Sequence, residues 1–584
     1  MDVLVGAINA ANDVIWHNYA LFILLGAGVL FTIWSGFGQY RALTHGVAVV
    51  RGKYDDSHDP GAISHFEALS TALSATVGLG NIAGVALAIA LGGPGAMFWM
   101  WVVGVVGMAL KMTEVTQSML FRNMADPDNP HGGPMWVCRR GFARISPKLT
   151  GFGTVFGAIF CITLLISSFT GGNMFQAWNV ADVSFTNFGI PRWLAGFVLA
   201  SAVGLVIVGG IHRIGEVASR VVPLMCLLYV GGALVVIGAN LTEIPATFAL
   251  IFTEAFSASE GTGAFIGGVM GYGFLIGMQR ALFSSESGQG SAPIAHSAAK
   301  TDEPVREGVV AGLEPFIDTL CVCTITGLVI LLSGVWNRAP MLEYTGELTM
   351  TQSVIGDAAN ADEVAWQLPA VRVQAANGQG FAELQDGRVV YVIVEAQTNA
   401  ATGQTQHRLY GMLHGSAETN WTVEFDSFAA PPGVTPRLAR EGVYFDLVGA
   451  SLTAQAFDSV LPGLGFWLVP LAAWLFAFST IISWSYYGEQ GIVFLFGENA
   501  VRGYRIIYCL LIMVSVLMIE TVTELETFMN LGTGVMLWAN IPIMLIFGPL
   551  AMRAYHDYFR RVQTGETDPP PRDILDALTG GERE

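Results

Sequence analysis

The chain has 584 residues, of which 53% are hydrophobic and only 13% charged, about half the charged share of a soluble domain. That balance excludes intrinsic disorder and an ordinary soluble enzyme. The net charge of −18 makes nucleic acid a poor partner, because holding phosphates requires clustered cations.

Apolar runs fall at about 14–36, 66–91, 95–120, 151–178, 192–211, 217–239, 262–285, 308–334, 464–486, 504–523 and 530–552. Each is long enough to cross a hydrocarbon core of roughly 30 Å as a helix. The chain therefore reads as an all-α polytopic membrane protein with 11 transmembrane helices, solvated by a lipid bilayer and multi-pass in a cell membrane. The N-terminus lacks the basic region of a signal peptide. Basic residues alternate between connections: those after the first, third, fifth, seventh and ninth spans, with the tail, hold 20 of the 28. This places the N-terminus outside and the C-terminus in the cytoplasm.

The expected division is an N-terminal extra helix and inner loop (1–63) and a first five-helix repeat (64–240). The second repeat starts at 241–335, is interrupted at 336–446, and resumes at 447–552 before a cytoplasmic tail at 553–584. The interruption is polar and turn-rich, with Asn377-Gly378 and Asp386-Gly387, and strands are expected over 370–374, 388–395, 406–413 and 422–425. It reads as a small, mostly β extracytoplasmic insertion: a stabilising addition, an element for substrate delivery or a docking place for an extracytoplasmic partner. The six cysteines are Cys138, Cys161, Cys226, Cys321, Cys323 and Cys509. Cys321 and Cys323 would point about 200° apart on a helix, a poor metal clamp.

Helix-breaking sequence interrupts two of the apolar runs. The first reads Ser74-Ala75-Thr76-Val77-Gly78-Leu79-Gly80-Asn81, and the second Ser284-Ser285-Glu286-Ser287-Gly288-Gln289-Gly290. Five spans begin with each break, and the alternation of basic loops runs the two broken spans in opposite directions. That is the pattern of an inverted repeat. Unwinding frees N–H and C=O groups at mid-membrane, where each is costly unless paired. A half-helix N-terminus suits a carboxylate, and unwound carbonyls suit Na⁺ or an ammonium group. A zwitterionic amino acid needs both. Ser479 and Thr480 are adjacent hydroxyls in an apolar run; they either bond back one turn or complete an oxygen cage for Na⁺ at the first break.

Charged residues in the spans are few. Lys111 and Glu114, one turn apart, read as a structural pair. Glu286 either caps freed amides or tunes ion or proton coupling. Asp318 is expected to bond the broken helices. Glu67, beside His65, reads as solvated near an interface. His131 receives no role.

The blocks Thr76-Val77-Gly78-Leu79-Gly80-Asn81-Ile82-Ala83-Gly84, Gly92-Gly93-Pro94-Gly95, Gly132-Gly133-Pro134, Gly172-Asn173-Met174 with Gln176, Gly290-Ser291-Ala292-Pro293, Phe316-Ile317-Asp318-Thr319 and Phe478-Ser479-Thr480-Ile481-Ile482 with Trp484 resemble the alanine/glycine:cation symporter family. The resemblance covers about 60–340 and 447–550. It implies a leucine-transporter-type fold, a 5+5 inverted repeat plus one N-terminal helix. It implies sodium-coupled import of alanine, glycine or a similar small neutral amino acid, with Na⁺ as the co-transported ion. Carried over, the cation takes the carbonyls of Ser74 and Val77 and the hydroxyls of Ser479 and Thr480. The substrate carboxylate meets the Leu79 and Gly80 amides. Thr76, Asn81, Gln176, Ser287, Gly288 and Gln289 complete the expected contacts, and Trp484 limits pocket size.

The chain departs from the family pattern at the second break, where Gln289 allows a more polar substrate. It also has Glu524 or Glu526 where the family commonly has Asp, and the β insertion is atypical. A receptor reading competes, but the tail after Met552 is too short for an output domain. An enzyme reading lacks a nucleophile–base constellation in the spans.

Overall fold

The computed structural model describes residues 2–16, 18–56, 58–256, 272–337, 340–344, 348–352, 364–375, 386–396, 406–415, 420–430, 433–439, 441–445, 449–519 and 522–565. Among these, seven helices are long and apolar enough to cross a membrane, and two further helix pairs qualify across bends of 71° and 51°. The protein is thus a mostly helical, multi-pass membrane protein. A shorter apolar helix covers Arg192–Ile207. Tyr272–Ser285 is the described part of the run at 262–285, whose residues 262–271 lie outside the described residues. Asn377 and Gly378, Pro569–Pro571 and the side chains of Glu524 and Glu526 lie outside them too.

Burial separates inner from outer helices. The apolar window of Ala96–Phe121 is 78% buried, against 28% for Pro147–Phe188, Gly210–Ala239 and Glu498–Met518. The outer helices present residues such as Leu205, Leu227 and Leu510 outward, as expected where lipid replaces water. The inner helix packs against Pro304–Ala311, Tyr272–Ser285 and Val522–Thr564.

Two boundaries differ from the sequence reading. The first apolar run is preceded by a separate helix, Asp2–Ile15, and followed by a bend between Leu21–Trp34 and Gln39–Val50. Asp2, Asn9, Asn12 and Asp13 interrupt the apolar pattern of that first helix, so hydropathy alone passes over it. The last helix runs on to Thr564, beyond the expected end at 552. Its extension is amphipathic: Tyr555, Tyr558 and Phe559 are buried, while Arg561 pairs with Glu303 at 2.7 Å.

Between the helices Thr324–Leu332 and Ala450–Asp458 the described chain forms short strands: β1 (Leu342–Tyr344), β2 (Thr351–Gln352), β3 (Val364–Gln367), β4 (Val371–Ala375), β5 (Arg388–Glu395), β6 (Gln406–His414), β7 (Trp421–Phe425), β8 (Phe428–Ala430), β9 (Arg437–Leu438) and β10 (Tyr444–Phe445). One sheet has the order β1-β4-β7-β6-β5-β10, with β9 also on β5, and a second has β2-β3-β8. All described pairings are antiparallel, and Val390 faces Gly411 in the β5–β6 register. Buried Val390, Val392 and Val394 on β5 and Leu409 and Leu413 on β6 form its core. The sheet is fastened to the membrane part by Arg408, which donates to the Ala90 carbonyl at 2.8 Å and lies 4.6 Å from the Tyr391 ring centroid.

Candidate functional site

The helix His65–Thr76 starts with a capping box: Ser64 and Glu67 bond each other's backbone amide. Glu67 is therefore a cap rather than merely a solvated charge. The helix stops where Val77 turns extended, with φ −74° and ψ 90°. Helical geometry resumes at Gly80, in a wide turn over Gly80–Gly84 that leads into Val85–Gly92. The second interruption follows Tyr272–Ser285 and ends at Ala292–His296. Gly288 and Gly290 both have φ of 81°, and Glu286 has φ of 51°, backbone that glycine adopts without strain and glutamate rarely does.

The two interruptions are tied to each other. Asn81 turns its side-chain oxygen back to the Gly78 amide at 2.8 Å. Its amide nitrogen donates to Asp318 Oδ1 at 2.5 Å and to Ser284 Oγ at 3.1 Å. Asp318 Oδ2 accepts from Ser284 at 2.7 Å and from Thr319 at 2.8 Å. Asp318 thus bonds both broken helices, and its buried carboxylate is surrounded by donors.

Polar oxygens converge on the other side of the first break. Thr480 Oγ1 donates to the Ser74 carbonyl at 3.0 Å, and Ser479 Oγ to the same carbonyl at 3.4 Å. The Ser74 hydroxyl donates to the Ser479 carbonyl at 3.2 Å and contacts Ser483 Oγ. An alanine at position 78 would bring its Cβ to 2.9 Å from Thr480 Oγ1, so glycine is what lets the two segments touch. These donors are all uncharged oxygens, the ligand type a hard monovalent cation accepts.

A cavity lies beside this cluster. Its walls include Thr76, Gly80, Gln176, Gln289, Thr480 and Trp484. Phe283, Glu286 and Thr533 also line it, and the sequence reading named none of the three as a substrate contact. Leu79, Asn81, Ser287 and Gly288, expected at the substrate, are buried but do not line the cavity. Thr76 bonds back to the Ala72 and Leu73 carbonyls, both at 3.3 Å. Gln289 Nε2 donates to the Leu282 carbonyl at 3.0 Å, which satisfies an end of the preceding helix. Gln176 Nε2 donates to the Gly171 carbonyl at 3.2 Å. Its buried Oε1 has no hydrogen-bond partner among the described residues. Trp484 is held on two sides: its indole donates to Glu286 Oε1 at 3.0 Å, and a Cβ on Gly172 would meet the ring at 2.4 Å.

Two sequence expectations about charge are corrected. Lys111 does not pair with Glu114; it pairs with Glu314 at 3.2 Å. Glu114 accepts instead from the Gly290 amide at 3.2 Å and from Asn540 at 3.0 Å. Glu286 does not cap freed amides; its carboxylate takes the Trp484 indole and the Ser291 hydroxyl, the latter at 2.5 Å. Lys111, Glu114 and the Trp484 bond of Glu286 share one reason: in lipid a buried charge takes its partner from a neighbouring helix across the bundle, while helical spacing shows only partners on its own helix. Asn540, which also donates to the Gly288 carbonyl at 2.9 Å, went unnoticed. A lone asparagine in an apolar run was the available signal.

A family model described as "Sodium:alanine symporter family" matches residues 1–365 and 438–571, leaving out the middle of the β insertion. The sodium/alanine symporter AgcS of Methanococcus maripaludis is 34% identical over 506 residues, 87% of each chain. The "Probable sodium/glutamine symporter GlnT" of Bacillus subtilis is 34% identical over 336 residues, 57% of this chain and 67% of that one. Among solved structures, MhsT in complex with L-phenylalanine aligns with a TM-score of 0.47 at 13% identity, over 85% of this chain and 93% of that one.

Proposed function

Since the chain belongs to the sodium:alanine symporter family, a family of transporters and not enzymes, we propose that it imports alanine, glycine or a similar small neutral amino acid together with Na⁺ by alternating access. The fold in this reading has eleven spans, ten of them in two inverted five-helix repeats of leucine-transporter type. The N-terminus lies outside, the C-terminus in the cytoplasm and the β insertion outside. Na⁺ sits among the Ser74 and Val77 carbonyls and the Ser479 and Thr480 hydroxyls. The substrate occupies the adjoining cavity. Its carboxylate faces the Leu79 and Gly80 amides, where a half-helix opens without intrahelical acceptors, and its ammonium group faces Gln176 Oε1. Thr76, Asn81, Ser287, Gly288 and Gln289 shape or brace that pocket.

The observation that carries this reading is the joint position of Thr480: its hydroxyl bonds the Ser74 carbonyl and its side chain lines the cavity. One residue set thus serves both ligands, so each ordering of the break by Na⁺ strengthens substrate binding, and the reverse holds equally. Trp484, held by Glu286 and by close approach to Gly172, favours a small side chain.

Gln176 and Gln289 in the cavity wall also suit a more polar substrate such as glutamine. A counterflow assay in proteoliposomes with a panel of labelled amino acids, in Na⁺ and in K⁺, decides. Exchange of alanine or glycine only in Na⁺ is expected. Exchange confined to glutamine would reassign the substrate, and no exchange of any amino acid would remove the proposal.

A further inference from the structure

Five ionisable side chains form an unbroken chain of contacts beside the second break. His65 Nδ1 meets Glu307 Oε2. Glu307 Oε1 lies 2.5 Å from His296 Nδ1, and His296 Nε2 lies 2.7 Å from Glu314 Oε1. Glu314 Oε2 then meets Lys111 Nζ at 3.2 Å. All five are buried, none more than 2% exposed. Each glutamate bridges with both oxygens, and His296 with both ring nitrogens.

Proton counting decides what this arrangement is. Each nitrogen–oxygen contact needs one proton between its atoms, and a neutral imidazole carries only one N–H. His296 therefore shares two protons with its flanking glutamates, as an imidazolium or beside a protonated carboxyl. Charge leads to the same place. Glu114 and Glu286 also act on Lys111, so three carboxylates face one ammonium group, and Glu307 is a fourth acid in the cluster. With neutral histidines and all four carboxyls ionised the cluster would carry a net charge of about −3, which a low-dielectric interior does not tolerate, so protons are held within it.

The flanking charges do not cancel it. Arg122 acts on Glu307 but gives its N–H groups to the carbonyls of Pro60, Ser297, Ala299 and Thr301, and it also faces Asp59 and Asp302. Arg306 and Asp55 both act on His65 with opposite sign. Asp318 draws further on Lys111.

Both ends of the chain carry an unused hydrogen-bonding atom. His65 Nε2 at one end, and Glu114 Oε1 and Tyr487 Oη at the other, are buried atoms with no hydrogen-bond partner among the described residues. Tyr487 acts electrostatically on Glu286, Glu314 and Glu114 together. Glu286 lines the cavity, while His65 stands at the start of its helix beside the loop bearing Arg51 and Lys53.

We propose that this chain is a second ion site, specific for a proton, and that a proton passes between His65 and Glu314 in each transport cycle. A proton arriving at His65 Nε2 releases the one on Nδ1 to Glu307. Glu307 gives a proton from its other oxygen to His296 Nδ1, and His296 releases its Nε2 proton to Glu314. His65, Glu307 and His296 each gain one proton and lose one, Glu314 gains one and is neutralised, and no electrons move. Neutralising Glu314 strengthens the hold of Lys111 on Glu286, and so reaches the Trp484 wall of the cavity. This proposal rests on the transport reading above.

The test uses the full chain in proteoliposomes with a trapped pH indicator, membrane potential clamped, and equal Na⁺ on both sides. Addition of alanine is expected to change the luminal pH, and a parallel assay with a Na⁺ gradient measures alanine uptake. In His296→Gln the pH change is expected to fall at least about tenfold while Na⁺-driven uptake persists. If that variant does not fold, His65→Gln at the end of the chain gives the same readout. Na⁺-driven alanine uptake without any alanine-triggered pH change overturns the proton site alone, as does an unaltered pH change in a folded variant. Absence of Na⁺-driven uptake in the unsubstituted protein overturns the transport reading and the proton site with it.

Discussion

Thr480 Oγ1 donates to the carbonyl of Ser74 at 3.0 Å, across 406 positions of sequence. That carbonyl belongs to the last turn of His65–Thr76, just before the chain unwinds. The contact joins the long helix Leu464–Phe496 to the first break and to the cavity in one step.

Removing this hydroxyl tests the cation assignment. Thr480→Ala is expected to raise the apparent Na⁺ concentration for half-maximal uptake about tenfold, the equivalent of about 1.4 kcal/mol, with protein abundance little changed. Na⁺ titration of uptake checks it, and an unaltered titration would take Thr480 out of the site.

The first break is tightly packed at Gly80. A Cβ at Gly80 would lie 3.2 Å from the Phe283 ring, so Gly80→Leu is expected to fill the approach to the backbone amides. Substrate binding should be lost, measured directly on purified protein, while the variant still unfolds cooperatively. Retained alanine binding would show that the substrate does not use this backbone.

Asp318 accepts from Asn81, Ser284 and Thr319. Asp318→Ala leaves these buried donors without an acceptor, at about 1–3 kcal/mol each. A marked drop in thermal stability in detergent is expected, with Asp318→Asn intermediate because it keeps one acceptor oxygen. Equal stability of both variants and the unsubstituted protein would mean that the breaks are held elsewhere.

Arg408 of the β sheet bonds the Ala90 carbonyl on the helix that follows the first break. Replacing about 345–445 with a short linker is expected to leave Na⁺-dependent uptake measurable. Arg408→Ala should increase protease cleavage of the sheet more than it changes transport. Complete loss of uptake in a folded deletion variant would make the insertion part of the transport machinery.

The interruptions were legible because Gly78 and Gly80, and Gly288 and Gly290, stand as matched pairs in two apolar runs beside serine or threonine. Ser479 and Thr480 were visible as adjacent hydroxyls in an apolar run. What stayed hidden was partnership across the bundle. Lys111 had Glu114 one turn away, yet its partner Glu314 is 203 positions distant. His65 reads as an interfacial residue, yet Glu307 reaches it from 242 positions away. Helical periodicity reports neighbours on one helix, whereas buried charges in lipid are settled between helices. Asn81 shows a second limit. Its place in the motif pointed to the substrate, but its geometry turns it toward Gly78 and Asp318 as a brace.

The most direct measurement is the affinity of the purified protein for alanine in Na⁺ buffer and in K⁺ buffer of equal ionic strength. Shared use of residues 74–81 and Thr480 by cation and amino acid predicts at least about fivefold tighter binding in Na⁺, within the ordinary range of coupling between sites. Identical affinity in the two buffers would contradict it.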